Sequence, residues 1–414
     1  MKILLSAYAC EAGRGSEPGV GWNTAVELAK HHEVWVLTRP DDGRDAIEAE
    51  LARHPQPNLH FVYFTLPVFG HFWQWGSAAF VLHYYLWQIQ AYFVAKKLHR
   101  QIQFDVAHHV TFVRYSSPSF ISLLPIPFVW GTVGGAEAAP NPFWKTFSWR
   151  AKGYEILRAL AHKVGEQDPF ARLTARRSAI AQVTTEDTAR QVRKMGASHV
   201  AIVPEAALSK PEIETLSHFP LLETSPIRFI SMGRLLHWKG FDLGIKAFAQ
   251  ANLPDAEYWI LGEGIEAQKL HSLAQALGVE HQVKFWGRLN RSQTFQKLSQ
   301  CQILVHPSLH DSGGWVCLEA MAAGRPILCF DLGGPGVQVT PETGIKIPAH
   351  SPEQAVQDLA KAMVYLAQDS KLRSRLGQAG RDLVQSLYNW ETKGQELIQL
   401  YQQLSLKDKI ATKT

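Results

Sequence analysis

Residues 302–331 read QILVHPSLHDSGGWVCLEAMAAGRPILCFD. Two apolar runs of strand character enclose a polar loop and an apolar helix, which we predict over residues 315–323. Gly324 ends this helix, and Pro326 prevents it from resuming. The segment therefore predicts a strand–loop–helix–strand unit of the kind from which parallel α/β sheets are built.

Two acids lie in this unit, Asp311 in the loop and Glu319 on the helix. Glu319 follows Trp315 by four residues, and helical side chains lean toward the N-terminus, so its carboxylate tips toward the loop. The free amides around Gly313 and Gly314 carry partial positive charge and suit a phosphate. Acids that accept sugar hydroxyls beside an anion site fit a nucleotide-sugar. The alternative is a buried βαβ unit with two incidental acids.

Length and composition indicate two folded domains. The 414 residues exceed what one hydrophobic core usually serves, and 46% apolar with 19% charged residues excludes a disordered chain. Strands alternate with helical stretches throughout, which predicts parallel α/β architecture. The net charge of +5 favours an anionic ligand or surface, such as a phosphate or an acidic lipid.

The cysteines argue against zinc and against a disulfide framework. Their positions form no CxxC pair and no His/Cys ligand spacing; they are Cys10, Cys301, Cys317 and Cys329. Free cysteines in apolar runs indicate a reduced, cytosolic protein. The opening apolar run is shorter than a signal peptide core, so we predict that residues 2–7 form the first buried strand.

A glycine-rich loop, residues 8–21, follows this strand and precedes a helix predicted over residues 22–31. Gly19 and Gly21 match part of a dinucleotide-binding fingerprint, but Thr24 stands where the third glycine belongs. No acid closes the second strand either. These departures argue against NAD, although the loop is built for close backbone approach to a ligand.

Residues 54–95 contain no charged Asp, Glu, Lys or Arg and are rich in aromatics, including Trp73, Trp75, Tyr84 and Trp87. The run is too often interrupted by Gln and His to be a membrane span. It predicts either a buried helix or an apolar docking surface. The segment 138–180 carries eight Lys or Arg against three Asp or Glu, which fits an anionic membrane or a solvated helix face.

The pattern Gly233-Arg234 to Lys239-Gly240, followed by His306-Pro307-Ser308, Asp311 and Glu319, resembles the family 4 (group 1) retaining glycosyltransferases. The resemblance implies the GT-B fold: two Rossmann-like parallel-sheet domains facing each other across a cleft. With residues 204–226 polar and rich in proline, we predict an acceptor-binding domain over residues 1–205. A nucleotide-sugar-binding domain then covers residues 206–414, with the C-terminal helices expected to cross back.

The resemblance also implies roles for the matched residues of the second domain. Arg234 and Lys239 would hold the donor diphosphate, and Glu319 would accept hydroxyls of the ribose. Asp311 would bind the transferred sugar. The neighbouring amides expected to assist it are those of Ser312, Gly313 and Gly314.

Further positions follow from the same resemblance. Gly19 and Gly21 would approach the phosphate from the first domain, and Gly262 would end a strand beside the donor. The region of Arg288 would meet the nucleobase through backbone groups. His109 would lie near the anomeric carbon, with His108 as the alternative.

Two departures from the family pattern leave contacts open. Asp311 stands where the first acid is usually glutamate, so contacts with the sugar shift by one methylene. The turn that usually reads NGxD is replaced by Val203-Pro204-Glu205-Ala206, and the contacts of that turn do not transfer.

The sequence thus predicts a retaining transferase that moves a hexose from a UDP- or GDP-sugar to a saccharide or lipid-linked acceptor. The absence of Asp-x-Asp predicts that no metal is needed, because protein cations replace it. We expect a cytoplasmic protein, attached peripherally to an anionic membrane face, with no nucleic-acid partner. The alternatives are a nucleotide-sugar epimerase of the same architecture and a non-catalytic sugar-nucleotide-binding subunit.

Overall fold

The structure, a computed structural model, describes residues 1–41, 43–66, 76–222 and 225–411. The strands, in chain order, are β1 Lys2–Ala7, β2 Glu33–Thr38, β3 Leu59–Tyr63, β4 Val106–Thr111, β5 Phe128–Val133, β6 Ile180–Val183, β7 Val200–Ile202, β8 Ile227–Met232, β9 Ala256–Leu261, β10 Val283–Gly287, β11 Ile303–His306, β12 Ile327–Phe330 and β13 Gly344–Ile347.

The α-helices, in chain order, are α1 Ser16–Ala29, α2 Arg44–Arg53, α3 Ser77–Ile102, α4 Trp149–Gln167, α5 Pro169–Arg177, α6 Glu186–Met195, α7 Lys210–Ser217, α8 Phe241–Ala251, α9 Ala267–Ala276, α10 Arg291–Ser299, α11 Trp315–Ala322, α12 Gly333–Gln338, α13 Pro352–Gln368, α14 Ser370–Leu387 and α15 Trp390–Ala411. Three 3₁₀ turns among the described residues span Phe120–Leu123, Asn141–Thr146 and His237–Lys239. Among the described residues, no helix is both long enough and apolar enough to span a bilayer.

The chain divides into two compact units. The first comprises Met1–Ala136, Arg158–Glu205 and Trp390–Thr414, and the second comprises Glu137–Leu157 and Ala206–Asn389. One division falls after Glu205. The remaining boundaries assign Glu137–Leu157, which includes the first half of α4, to the second unit, and they assign α15 to the first.

The first unit is built on a seven-stranded parallel sheet in the order β3-β2-β1-β4-β5-β6-β7. One face packs against α1 and α15, where Ile3, Val36 and Tyr401 share a buried cluster. The other face packs against α3, whose Trp87 is fully buried beside Leu4. Because both faces are covered, the strands read as nearly continuous apolar runs.

The second unit is built on a six-stranded parallel sheet in the order β10-β9-β8-β11-β12-β13. Its helices begin where the sequence supplies caps. Ser351 and Gln354 form a capping box at α13, and Asn290 and Gln293 form another at α10. Both units are therefore Rossmann-like α/β layers, which confirms the predicted architecture within each unit.

Two predicted elements begin at the wrong residue. Helix α1 starts at Ser16, not at residue 22, because Pro18 falls in the first turn, where a missing N–H costs nothing. Strand β4 runs over Val106–Thr111, whereas the apolar run Phe104–Ala107 predicts a strand that ends before His108. His108 and His109 therefore lie within the strand and do not follow its end.

The uncharged aromatic stretch is only in part core: Tyr84 and Trp87 do not belong to a docking surface, whereas Leu82 and Phe93 are exposed. Tyr84 and Trp87 of α3 are buried, and Trp87 stacks on Phe64 with ring centroids 4.8 Å apart. Trp73 and Trp75 lie outside the described residues. Aromatic side chains bury a large apolar area, so their density here reflects the filling of the first unit.

Candidate active site

The strand order of the second sheet reverses between β8 and β11. In open parallel α/β sheets, ligands bind outside the carboxyl ends of the strands at such a reversal. The loop after β8, residues 233–240, and the loop after β11, residues 307–314, leave the sheet at this point. The fold therefore predicts a ligand site formed by these two loops.

The two loops are joined by an ion pair between predicted site residues. Lys239 Nζ donates to Asp311 Oδ2 at 2.5 Å, and His306 Nε2 lies 3.2 Å from the same oxygen. Burial by itself raises the pKa of a carboxyl. Here Lys239 and His306 outweigh burial and hold the pKa of Asp311 well below its ordinary value. Asp311 is thus an ionised acceptor beside a cation.

The turn after Asp311 requires glycine. Gly314 has φ +59°, and a Cβ at this position would lie 2.3 Å from Gln338 Oε1. The Gly314 N–H donates to Asp311 Oδ1 at 3.4 Å, and Gln338 Nε2 donates to the Gly313 carbonyl at 2.6 Å. Helix α11 begins at the next residue, so this turn presents a helix N-terminus at the reversal.

Glu319 is buried on α11 and paired with a residue that the sequence analysis missed. Arg291 Nη1 donates to Glu319 Oε1 at 2.8 Å, and Arg291 Nη2 donates to Glu212 at 2.5 Å. Burial raises the pKa of Glu319, and the Arg291 charge acts against that increase. Arg291 is the first residue of α10 and precedes Glu319 by 28 positions, so no local pattern indicates this pair.

The other predicted residues of the second unit lie at carboxyl ends of neighbouring strands. Arg234 follows β8 and Arg288 follows β10, and both side chains are exposed. Gly262 follows β9 with φ +137°, and a Cβ there would lie 1.9 Å from the Gly233 carbonyl oxygen. Gly262 therefore allows the loops after β8 and β9 to touch. The predicted roles of Gly262 and Arg234 at the donor stay predictions.

A segment from the middle of the chain supports both loops of the reversal. Glu155 of α4 is buried, and its Oε1 lies 2.8 Å from His237 Nε2 and 3.5 Å from His310 Nε2. The Trp238 ring stacks between Tyr154 and His310, with centroid distances of 5.2 Å to each. His237 lies in the loop after β8 and His310 in the loop after β11, so one carboxylate links the two loops.

A second acid of the same segment reaches the turn itself. The Ser312 hydroxyl donates to Glu137 Oε2 at 2.5 Å, and Glu137 is only 3% exposed. No pattern in the sequence indicates Glu137 or Glu155 as a partner of the loops after β8 and β11. Tertiary packing brings Glu137 to Ser312 across 175 positions and Glu155 to His310 across 155 positions.

In the first unit, the glycine loop lies at the equivalent reversal between β1 and β4. A Cβ on Gly19 would lie 2.1 Å from the Arg14 carbonyl oxygen, and one on Gly21 would lie 2.6 Å from the Ala9 carbonyl oxygen. Glu17 accepts a hydrogen bond of 2.7 Å from the Phe112 N–H. The glycines thus fold the loop tightly against the start of α1.

His109 and His108 are both buried within β4. His109 Nε2 lies 3.2 Å from the Tyr84 hydroxyl and 3.3 Å from Gln88 Nε2. His108 is within hydrogen-bond distance of Tyr401 and the Gly131 carbonyl. Burial lowers the pKa of His109 to about 3 and that of His108 to about 4, so both rings are neutral at pH 7. Their roles stay predictions.

No group of three or more His, Cys, Asp or Glu side chains within residues 1–41, 43–66, 76–222 and 225–411 is arranged to hold a metal ion.

Residues 213–383 match the family model of glycosyl transferases group 1. A curated relative, a GDP-mannose-dependent monoacylated alpha-(1-6)-phosphatidylinositol monomannoside mannosyltransferase of Corynebacterium glutamicum, is 33% identical over 189 residues. That match covers 44% of this chain and 48% of the relative. The lipopolysaccharide core biosynthesis glycosyltransferase LpsE of Rhizobium meliloti is 30% identical, covering 47% and 53%. The chain spans about half the length of the curated relatives it matches.

Solved structures resemble the chain over nearly its whole length. Sucrose-phosphate synthase from Thermosynechococcus elongatus has a TM-score of 0.62 at 19% identity, covering 97% of this chain and 98% of its own. Anabaena Alr3699/HepE, solved in complex with UDP, has a TM-score of 0.61 at 17% identity, covering 98% and 100%. These likenesses confirm the predicted GT-B fold class. The resemblance to group 1 glycosyltransferases is confirmed, and the narrower family 4 assignment stays a prediction.

Proposed function

With a second unit that matches the group 1 glycosyl transferases, we propose that this chain moves a hexose from a nucleoside diphosphate sugar to a saccharide or lipid-linked acceptor. This transfer would be a step in the synthesis of a cell-surface polysaccharide or glycolipid. The observation that carries the proposal is the ion pair between Lys239 and Asp311 at the β8/β11 reversal, with the exposed Arg234 on the same edge. Cations for a diphosphate thus adjoin an acceptor for sugar hydroxyls.

In this mechanism the leaving diphosphate gains negative charge as the sugar–phosphate bond breaks. Fixed positive groups aimed at developing charge are usually the largest single contribution to catalysis. Arg234 offers a planar fork for two phosphate oxygens, Lys239 offers a point charge, and the amides at Gly313 and Gly314 offer a helix N-terminus. The acceptor hydroxyl attacks the same face that the diphosphate leaves, and a phosphate oxygen takes its proton, so configuration is retained.

Lys239 can serve the diphosphate without releasing Asp311. An ammonium carries three donors, and the pair with Asp311 Oδ2 uses one of them. The second oxygen of Asp311 accepts the Gly314 N–H at 3.4 Å and has a further lone pair for a sugar hydroxyl. Because Asp311 would contact the sugar and Lys239 the phosphate, their ion pair would fix the distance between the two parts of the donor.

Glu319 and Arg288 would bind the rest of the donor. Glu319 lies one helical turn into α11 and would accept ribose hydroxyls, while Arg291 neutralises it and fixes its direction. The backbone around Arg288, at the end of β10, would contact the base. One relative is named for GDP-mannose and one solved neighbour holds UDP-glucose, so we leave the base as uracil or guanine.

The first unit would receive the acceptor at its β1/β4 reversal, where Gly19 and Gly21 lie. We further propose that the chain works at the cytoplasmic face of a membrane, attached peripherally. Lipid-linked acceptors are held there, and relatives named for phosphatidylinositol mannoside and lipopolysaccharide core synthesis support this location.

The test is a donor screen by thermal shift followed by a transfer assay. We expect one class, UDP-sugars or GDP-sugars, to raise the melting temperature, since a ligand at 100 times its Kd adds about 2.7 kcal/mol. The binding sugar is then supplied with a radioactive label, with and without an extract of lipid-linked saccharides. Labelled glycan supports transfer.

Each alternative gives a different result in the same assay. Isomerised donor sugar without acceptor would indicate an epimerase, and donor binding with neither hydrolysis nor transfer would indicate a non-catalytic subunit. Absence of any thermal shift with both classes would contradict the donor site.

Because Arg234 and Lys239 supply the charge that a metal otherwise supplies, we expect transfer to persist in EDTA. The measurement compares initial rates after dialysis against EDTA with rates after Mg²⁺ or Mn²⁺ is restored. A loss on chelation that either ion reverses would contradict this proposal and require a metal site that the sequence pattern does not reveal.

A further inference from the structure

Helix α4, Trp149–Gln167, carries an apolar face that is exposed to solvent. Five large side chains, which we call the α4 stripe, have exposed fractions between 51% and 78%; they are Trp149, Ile156, Leu157, Leu160 and Val164. Singly exposed apolar residues are ordinary on protein surfaces, but a contiguous exposed patch indicates an interaction site.

The stripe follows helical geometry. At 100° per residue, positions 149, 156, 160 and 164 fall within about 80° of one another around the axis, and position 157 lies about 20° beyond 164. The opposite side of the helix is occupied by the protein, where Ala151 and Glu155 are buried. In most surface helices the apolar side faces the protein. In α4 an apolar side faces solvent, and a polar contact between Glu155 and His237 lies on the inner side.

The charges that flank the stripe are positive. Lys152 and Lys163 border one side of it and Arg150 borders the other, with the Arg150 guanidinium 5.2 Å from the Trp149 ring centre. The helix contains two acids. Glu155 is buried against His237, and Glu166 accepts from the Tyr115 hydroxyl at 3.1 Å on the protein side.

We propose that α4 lies in the surface plane of an anionic bilayer, with the α4 stripe among the acyl chains and its basic flanks against acidic head groups. An apolar face bordered by Lys and Arg, with Trp at one end, is the composition of an interfacial helix. The proposal rests on the proposed function in one respect, since a lipid-linked acceptor would be presented at that surface.

Charge complementarity selects the membrane over a second copy of the chain. A symmetric contact through the stripe would bring Arg150, Lys152 and Lys163 close to the same cations of the partner, and like charges across an interface are unfavourable. An anionic bilayer matches both the apolar centre and the positive border. Lys145, a basic residue of the same segment, pairs with Glu353 at 2.9 Å and is not part of this surface.

Flotation of the full-length chain with vesicles tests the proposal. Vesicles of phosphatidylcholine, with or without phosphatidylglycerol, are mixed with the protein at low and high salt. We expect flotation with the anionic vesicles at low salt, and weaker flotation when salt is raised or phosphatidylglycerol is omitted. Protein that stays at the bottom with anionic vesicles at low salt overturns the proposal.

Two sets of variants assign the binding to α4. Trp149→Ser with Leu157→Ser and Leu160→Ser, or Arg150→Glu with Lys152→Glu and Lys163→Glu, should each lower vesicle binding by about tenfold or more. Because all six side chains lie outside the core, the melting temperature should stay unchanged.

Matched controls use exposed residues on other helices. The apolar controls are Tyr365→Ser and Leu387→Ser, and the charge controls are Lys194→Glu, Lys210→Glu and Lys371→Glu. These should float like the wild type, and equal flotation of the α4 variants would overturn the assignment. A dimer in size-exclusion chromatography that the α4 apolar variants dissociate, without vesicle binding, would also overturn it. Donor thermal shifts should be the same in all variants, which separates this proposal from the donor site.

Discussion

Arg234→Ala should lower sugar transfer by about 100-fold or more while the second unit stays folded. The guanidinium is exposed at the carboxyl end of β8, so its removal leaves no cavity and no buried partner. What the variant loses is one fixed cation aimed at the leaving diphosphate, and loss of a single such donor typically costs about 10²-fold to 10³-fold in rate. The melting temperature should therefore match the wild type.

Lys239→Ala should lower transfer by a similar factor and should also destabilise the protein. The ammonium is 18% exposed on its side chain and is the counter-ion of Asp311. Removing one partner of a buried pair leaves the other charge uncompensated, at a cost of the order of 3 kcal/mol. The comparison of the two variants thus separates the catalytic effect, which they share, from the structural effect, which belongs to Lys239 alone.

Initial rates with the binding donor, at saturating and limiting concentrations, measure the first effect, and thermal unfolding measures the second. Lys371→Ala on α14 is the matched control, since it removes an exposed cation far along the chain from the two loops. Transfer within about threefold of the wild type in Arg234→Ala would contradict the diphosphate role, given the size of the expected loss.

Individual strands and loops of the second unit could be predicted because their signals are local. An apolar run between Pro326 and Asp331 gives β12, and the observed bounds, Ile327–Phe330, are those of the run itself. The glycine pair and the acid before α11 likewise place the turn at Asp311. The reversal of strand order between β8 and β11 then brings the Lys239 and Asp311 loops together, as the family resemblance implies.

Partners that come from distant parts of the chain could not be predicted. Arg291 contacts Glu319 because α10 and α11 pack on the same sheet, and Glu155 contacts His237 and His310 because α4 belongs in part to the second unit. No periodicity encodes such contacts. They depend on how whole elements pack against one another. A hydrophobic pattern identifies one element and its buried face, but not the element that it contacts.

The burial of the uncharged aromatic stretch, residues 54–95, could not be predicted from its composition either. Composition alone does not distinguish a buried helix from an interfacial one, since both are apolar and uncharged. Tyr84 and Trp87 place one side of α3 in the core, although Leu82 and Phe93 of the same helix are exposed. Helix α4, in the basic segment, carries a second set of exposed apolar side chains. The sequence signal for such a face is a helix with more large apolar residues than one buried side can hold.

Asp311→Asn should lower transfer by about 10²-fold or more, because it removes charge at the centre of the two loops. The wild-type carboxylate has Lys239 at 2.5 Å and His306 at 3.2 Å, and it would accept a sugar hydroxyl with its remaining capacity. The amide keeps the shape but leaves the ammonium without its counter-ion. Its NH2 group also faces a donor on either side, since Lys239 and His306 donate to one carboxylate oxygen and the Gly314 N–H to the other. Loss of an oriented charged contact in the transition state is of this size.

The variant should also change how stability depends on pH. The pKa of Asp311 in the folded protein lies well below the unfolded value of about 3.9, so the carboxylate contributes stability that is present above about pH 4. That contribution is lost as pH falls toward the folded pKa. Melting temperatures of the wild type should therefore fall more steeply below about pH 4 than those of Asp311→Asn, once the loss at pH 7 is subtracted.

Asp311→Glu distinguishes a catalytic contact from a merely structural ion pair. The longer acid can still reach Lys239, so stability at pH 7 should recover most of what Asp311→Asn loses. Transfer should recover only in part, because the added methylene shifts the oxygen that meets the sugar, and a misplacement of about 1 Å costs up to about 10²-fold. Full recovery of stability together with full recovery of rate would mean that the site accepts the glutamate of the family pattern without a shift of the sugar, which contradicts the expected loss. Wild-type transfer by Asp311→Asn would exclude Asp311 from the donor site. The predicted diphosphate site would then consist of Lys239, Arg234 and the Gly313-Gly314 amides, with no carboxylate to hold the sugar.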